Sequence, residues 1–279
     1  MPRCELFRNL SSIILTCIHE QSLQTFDCRN FINYDKIKKL VFEATPIINI
    51  YNISYLNKLQ VLHIGSNTKL SMENFELKNL KELKYFFLSD KVEKQFSLHD
   101  TFSENEHLVH FFIYPHDLNA PINFKSNNLE HINFGELDIN YDYLQCLEDL
   151  NIKYLSFSTP RIFKFERGFR KLQCLKIINL ENYMSGCFEK LNELSFLCLS
   201  FKTIPVITKT DRSMFDELKD YNLIHLFFKA IYDEEVRENL QNLTGFGLFG
   251  NQDGYYATNG DKTKFDFDQR TVIHNILYN

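Results

Sequence analysis

A short apolar triplet, repeated at near-regular intervals, limits what this chain of 279 residues can fold into more than any other feature. Its clearest copy is Leu56-x-x-Leu59-x-x-Leu62-x-Ile64-x-x-Asn67. Anchored on the residue equivalent to Leu62, the series runs Leu40, Leu62, Phe86, Phe111, Ile132, Leu155, Ile178, Leu197, Leu226 and Phe246. A second apolar residue follows each anchor by two positions, from Phe42 and Ile64 to Phe228 and Leu248. A third precedes it by three, from Ile37 and Leu59 to Leu223 and Leu243. Successive anchors are 22, 24, 25, 21, 23, 23, 19, 29 and 20 residues apart. Alternation over the last two members is the period of a strand with one buried face. One strand cannot shield that face, so neighbouring copies must stack in parallel and bury a continuous apolar column. The upstream residues, as in Leu77-x-x-Leu80-x-x-Leu83 and Phe169-x-x-Leu172-x-x-Leu175, have the spacing of helical turns on the opposite side.

The unit resembles the leucine-rich-repeat pattern L-x-x-L-x-L-x-x-N. That resemblance implies an α/β leucine-rich-repeat solenoid, with a curved parallel sheet on the concave side and short helices or turns on the convex side. Only Asn67 and Asn251 keep the Asn position, so the turns between coils are expected to be irregular. The repeats fade outside residues 37–250, which carry about ten irregular copies. Residues 1–36 are read as an N-terminal cap with a helix around Leu10–Gln21. Residues 251–279, with the turn dipeptides Asp253-Gly254 and Asn259-Gly260, are read as a C-terminal cap that includes a hairpin. Open solenoid ends expose core, which is why caps are expected.

In such a strand, the residues beside the buried pair point to the concave surface. One row is then Tyr85, His110, His131, Tyr154, Ile177, Phe196 and His225. A second contains His63, Phe87, Phe112, Asn133, Ser156, Asn179, Cys198 and Phe227, and Tyr114 stands beyond it. Aromatic side chains dominate binding hot spots. The candidate partner-binding residues are therefore His63, Tyr85, Phe87, His110, Phe112, Tyr114, His131, Asn133, Tyr154, Phe196, His225 and Phe227. The competing explanation is that several are buried, in a composition that supplies aromatics freely (27 Phe, 14 Tyr).

Chemistry is weakly encoded. His110 and His131 share a row on adjacent coils, but no carboxylate or cysteine follows beside them, so no metal site is expected. Gly245-Phe-Gly247-Leu-Phe-Gly250 spells a dinucleotide fingerprint, yet Phe246 and Leu248 read as repeat core, and the next residues read as a turn rather than a helix. No nucleophile elbow, phosphate-binding loop or zinc-protease helix motif occurs. No catalytic residue, cofactor or metal ligand is nominated.

The remaining composition bounds the setting. A net charge of −5 gives no footprint for nucleic-acid binding. Seven cysteines without a CxxC pair argue against a disulfide or zinc scaffold and fit a reducing compartment. The apolar run Ile13–Ile18 is short for a signal peptide, and no stretch reaches the ~18–20 apolar residues of a membrane span. The expectation is a monomeric cytoplasmic protein that binds another protein and no membrane. The alternative is an F-box-like substrate-recruiting adaptor of a ubiquitin ligase. Leu10 to Phe31, with two apolar stretches and a late Cys28-Arg29, faintly resembles an F-box but lacks its leading Leu-Pro. The wealth of Phe, Ile, Asn, Lys and Tyr, with degenerate repeats, is similar in style to the leucine-rich-repeat families of entomopoxviruses. That likeness implies a host-interaction role.

Overall fold

The computed structural model describes residues 10–16, 25–31, 33–43, 49–65, 77–88, 98–114, 121–162, 165, 168–183 and 186–201, and the backbone of three strands at 225–229, 247–251 and 254–258. The chain divides into two compact units, Met1–Leu137 and Asp138–Asn279.

In the first unit the strands are β1 (Ser12–Thr16), β2 (Thr25–Asp27), β3 (Lys39–Glu43), β4 (Asn49–Tyr51), β5 (Val61–Ile64), β6 (Tyr85–Leu88), β7 (His110–Ile113) and β8 (His131–Asp138). Strands β1-β3-β5-β6-β7-β8 lie side by side and all parallel, while β2 and β4 pair separately. The register sets anchor against anchor: Leu40 beside Leu62, Leu62 beside Phe86, Phe86 beside Phe111, and Phe111 beside Ile132. All five are buried, as are Phe42, Ile64, Leu88, Ile113 and Phe134 two positions on. Two apolar columns per unit are the direct product of the L-x-L alternation. Phe86, Phe102, Phe111, Phe124 and Phe134 pack ring on ring within them.

The upstream leucines close successive tight turns. Leu56 N–H donates to Ile53 O and Leu59 N–H to Leu56 O; Leu80 bonds back to Leu77, and Leu83 to Leu80. Each bond spans three residues, so a leucine at every third position falls on one inward edge. The sequence spacing is thus met by turns of 3-10 type. Ahead of each strand the coils are tied by paired amides on one carbonyl. Gln60 and Val61 donate to Lys38 O, Lys84 and Tyr85 to Gln60 O, and Val109 and His110 to Lys84 O.

The expected helix around Leu10–Gln21 is corrected over Ser12–Thr16, which forms β1 and pairs with β3, Ile13 opposite Leu40. The run Ser-Ile-Ile-Leu-Thr holds β-branched residues that favour a pleated strand, and Ile13 supplies a further anchor. The F-box-like alternative draws on a helix in this stretch.

The second unit opens with α1 (Tyr141–Leu147), N-capped by Asn140, whose Oδ1 accepts Tyr143 N–H at 2.9 Å. Its strands are β9 (Tyr154–Ser158), β10 (Arg161–Ile162), β11 (Cys174–Leu180), β12 (Asn182–Tyr183), β13 (Phe196–Phe201), β14 (His225–Lys229), β15 (Gly247–Asn251) and β16 (Gly254–Thr258). The order is β9-β11-β13-β14-β16-β15, with β10 and β12 as a separate parallel pair. Strands β9, β11, β13 and β14 are parallel.

Two expectations fail here. The anchor of the β11 copy is Leu175, not Ile178: Leu175 lies beside Leu155 and Leu197, and Ile177 beside Phe157 and Leu199. Ile177 is 0% exposed, whereas Ile178 is half-buried. The strand then breaks register before Leu180, with Asn179 in the left-handed conformation at φ 58°. The last copy also fails as a parallel coil. Strand β16 pairs antiparallel with β14 and with β15, so β15 is the outer arm of a hairpin. Asn251 pairs with Gly254, so the two arms end on either side of Gln252 and Asp253, which lie outside the described residues. Phe246 lies outside the described residues, as does Gly245 of the G-x-G-x-x-G sequence. Gly247 and Gly250 lie in a strand, and the next described element is another strand.

Within each unit these registers make a leucine-rich-repeat-type parallel-sheet solenoid, with few helices among the described residues. Among the described residues no helix is long and apolar enough to cross a membrane.

Candidate binding face

Register determines what shares the face opposite the core. In the first unit one row runs Ser12, Lys39, Val61, Tyr85, His110, His131. Its aromatic end is a ladder. The Tyr85 and His110 rings stack with centroids 5.0 Å apart at 30°, and the His110 and His131 rings at 4.2 Å and 15°. Parallel neighbours ~4.8 Å apart impose this stacking on flat side chains. All three are half-buried. Burial, then the adjacent His131, lower the His110 pKa to about 4, with Glu130 opposing. His110 is therefore neutral at physiological pH. Face-to-face rings do not converge on one point, and among the described residues no group of three or more His, Cys, Asp or Glu is placed to hold a metal ion.

The second row runs Ile14, Val41, His63, Phe87, Phe112, Asn133. His63 meets Phe87 edge-on at 5.9 Å, and Phe87 meets Phe112 at 6.4 Å. This row is largely enclosed. His63 is 8% exposed and Phe87 4%, and Asn133 is buried with its Oδ1 accepting Gly135 N–H at 2.6 Å. Burial lowers the pKa of His63. Phe112 and Tyr114 are half-buried. Tyr114 lies over Gly135, where any Cβ would clash with the ring and φ is +58°. Glycine is required there for both reasons.

The twelve candidate residues thus separate by burial. In the first unit Tyr85, His110, His131, Phe112 and Tyr114 keep exposed surface. His63, Phe87 and Asn133 form the floor beneath them.

In the second unit the rows are Tyr154, Cys174, Phe196, His225 and Ser156, Lys176, Cys198, Phe227. Tyr154 is buried and Phe196 half-buried. The side chains of His225 and Phe227 lie outside the described residues, although their backbone forms β14. Burial, reinforced by Cys174, raises the Tyr154 phenol well above its ordinary range; the nearby Ser156 hydroxyl opposes this slightly. Burial likewise raises the Cys174 thiol, with Cys198 adding to it, and pushes Cys198 up to about 11. Lys176 counteracts both shifts. Sequence reasoning placed Ile177 and Asn179 on this face and missed Cys174 and Lys176. The signal was the spacing: with Leu175 as anchor the intervals are 20 and 22, more even than 23 and 19.

No protein-family model and no curated protein matches the chain. Among solved structures, a chain of the crystal structure of the mouse RP105/MD-1 complex aligns at 16% identity and a TM-score of 0.48. The alignment covers 79% of this chain and 46% of that one, so this chain spans less than half the length of the protein it matches.

Proposed function

We propose that this protein is a non-enzymatic protein-interaction module that engages another protein through the strand face of its repeats. The supporting observation is the Tyr85–His110–His131 ladder, flanked by half-buried Phe112 and Tyr114. A repeat scaffold holds these rings at fixed spacing, so little side-chain entropy is lost when a partner covers them. Aromatic surface of this kind is what interface hot spots use. His110 is neutral near pH 7 and the chain is mildly acidic, which favours a protein partner over nucleic acid. A monomer acting in the cytoplasm, in a host-interaction role, completes the reading.

The test is site-specific. A photo-crosslinking residue at Phe112 should join the partner covalently, and Y85S/H110S/F112S should abolish capture while the thermal unfolding midpoint stays close to that of the parent. Full capture by a folded triple variant would remove this face from consideration. Phe87 is a poor probe, because its burial makes any polar replacement a folding defect.

A further inference from the structure

Strands β9, β11 and β13 bring an unused set of groups onto one face: Tyr154, Cys174 and Phe196 across one row, and Ser156, Lys176 and Cys198 across the next. Cys174 and Cys198 are therefore diagonal neighbours on adjacent parallel strands. Both are free thiols, 4% and 7% exposed. We propose that Cys174 and Cys198 form a two-coordinate site for a soft monovalent d10 cation, copper(I), with Lys176 balancing its charge.

Reach decides between a disulfide and an ion. A diagonal step combines ~4.8 Å between strands with two residues of ~3.3 Å along one, or about 8 Å between Cα atoms. A disulfide requires roughly 4.4–6.8 Å, so these sulfurs do not bond each other without backbone movement. An ion placed between them replaces one ~2 Å sulfur–sulfur bond by two metal–sulfur bonds of about 2.3 Å and closes the larger gap. Thiolates select copper(I) among biological ions. Zinc would need a third and fourth ligand, and no such group converges among the described residues.

Charge also balances. Each S–H loses its proton to solvent as an S–Cu bond forms, with no change of oxidation state. Two thiolates and one copper(I) leave one negative charge, and Lys176 stands beside Cys198 in register. A second observation marks the same patch as polar and incomplete. The Ser156 hydroxyl beside Lys176 is 1% exposed, and apart from its influence on the Tyr154 phenol its Oγ makes no hydrogen bond of good geometry. Such groups call for a water or a ligand.

The experiment titrates the reduced full-length chain, without oxygen, against a chromophoric copper(I) chelator. One copper(I) per chain should leave the chelator. Transfer should weaken by roughly tenfold or more in C174S and in C198S, and remain unchanged in C146S and C187S. Should serine at either site unfold the chain, 13Cβ shifts of the wild-type cysteines during the same titration decide: movement at Cys174 and Cys198 supports the site. Movement confined to other cysteines, undiminished uptake by C174S/C198S, or no uptake by the folded parent overturns it.

Discussion

The rings of His110 and His131 lie face to face, 4.2 Å apart and 15° from parallel, on neighbouring strands of a parallel sheet. Protonating both would set two like charges at stacking distance in a half-buried setting, so the contact disfavours the doubly charged pair.

Acid should therefore loosen the first unit. The folded His110 has a pKa of about 4, below the ~6.5 of an unfolded histidine, so the unfolded chain binds more protons between those values. Stability is intact above about pH 6.5 and falls as the pH drops toward 4, with buried His63 shifted in the same direction. Urea unfolding between pH 7 and pH 4 should show this loss, and H110Q should reduce it. An H110Q profile that matches the parent would contradict the shift.

The β11 register predicts opposite responses from adjacent residues. Ile177 is fully buried between Phe157 and Leu199, so I177A should cost ~2–5 kcal/mol. Half-buried Ile178 should cost well under half as much on truncation to alanine. Equal losses in chemical denaturation would favour the shifted register.

That contrast also shows where the sequence is legible. Leu172-x-x-Leu175-x-Ile177 and Leu175-x-x-Ile178-x-Leu180 are both apolar triplets, three residues out of phase. Hydrophobic pattern alone cannot rank them; neighbouring coils do, through backbone pairing. The anchors from Leu40 to Ile132 were readable from their even spacing of 21 to 25 residues. Strand β1 was misread because four apolar-permissive residues, Ser12 to Leu15, carry no decisive period. The hairpin of β15 and β16 was half-readable: Asp253-Gly254 signalled the turn, but the preceding arm imitates a repeat strand. The binding face was legible in position but not in depth. Stacking between coils buries His63 and Phe87, and single-sequence alternation treats such positions as solvent-facing.

Asn105 bridges the backbone of two successive coils. Its Nδ2 donates to Leu80 O and Leu83 O at 2.9 and 3.0 Å, and its Oδ1 accepts from His107 N–H and Leu108 N–H. It occupies the site held by Leu56 and Leu80 in earlier copies. In the next copy Ser126 Oγ bonds Glu106 O and Leu108 O there. N105A should cost about 2–4 kcal/mol, because buried backbone groups lose their partners. Thermal denaturation checks the size, and faster amide exchange at Leu108 checks the cause. An effect below about 0.5 kcal/mol would refute the bridge.

The Phe cluster predicts a large loss from one truncation. Phe111 touches Phe86, Phe102, Phe124 and Phe134 and is almost fully enclosed. F111A should cost ~3–5 kcal/mol in urea unfolding. F111L should recover most of that, since it keeps much of the buried volume.

The stacking of repeats in parallel register is tested most directly by nuclear Overhauser contacts in a methyl- and aromatic-labelled chain. The account predicts contacts from the Ile132 methyls to the Phe111 ring, and from the Ile177 methyls to the Phe157 ring and Leu199 methyls. Contacts from Ile178 in place of Ile177, or no contact between Phe111 and Ile132, would contradict it.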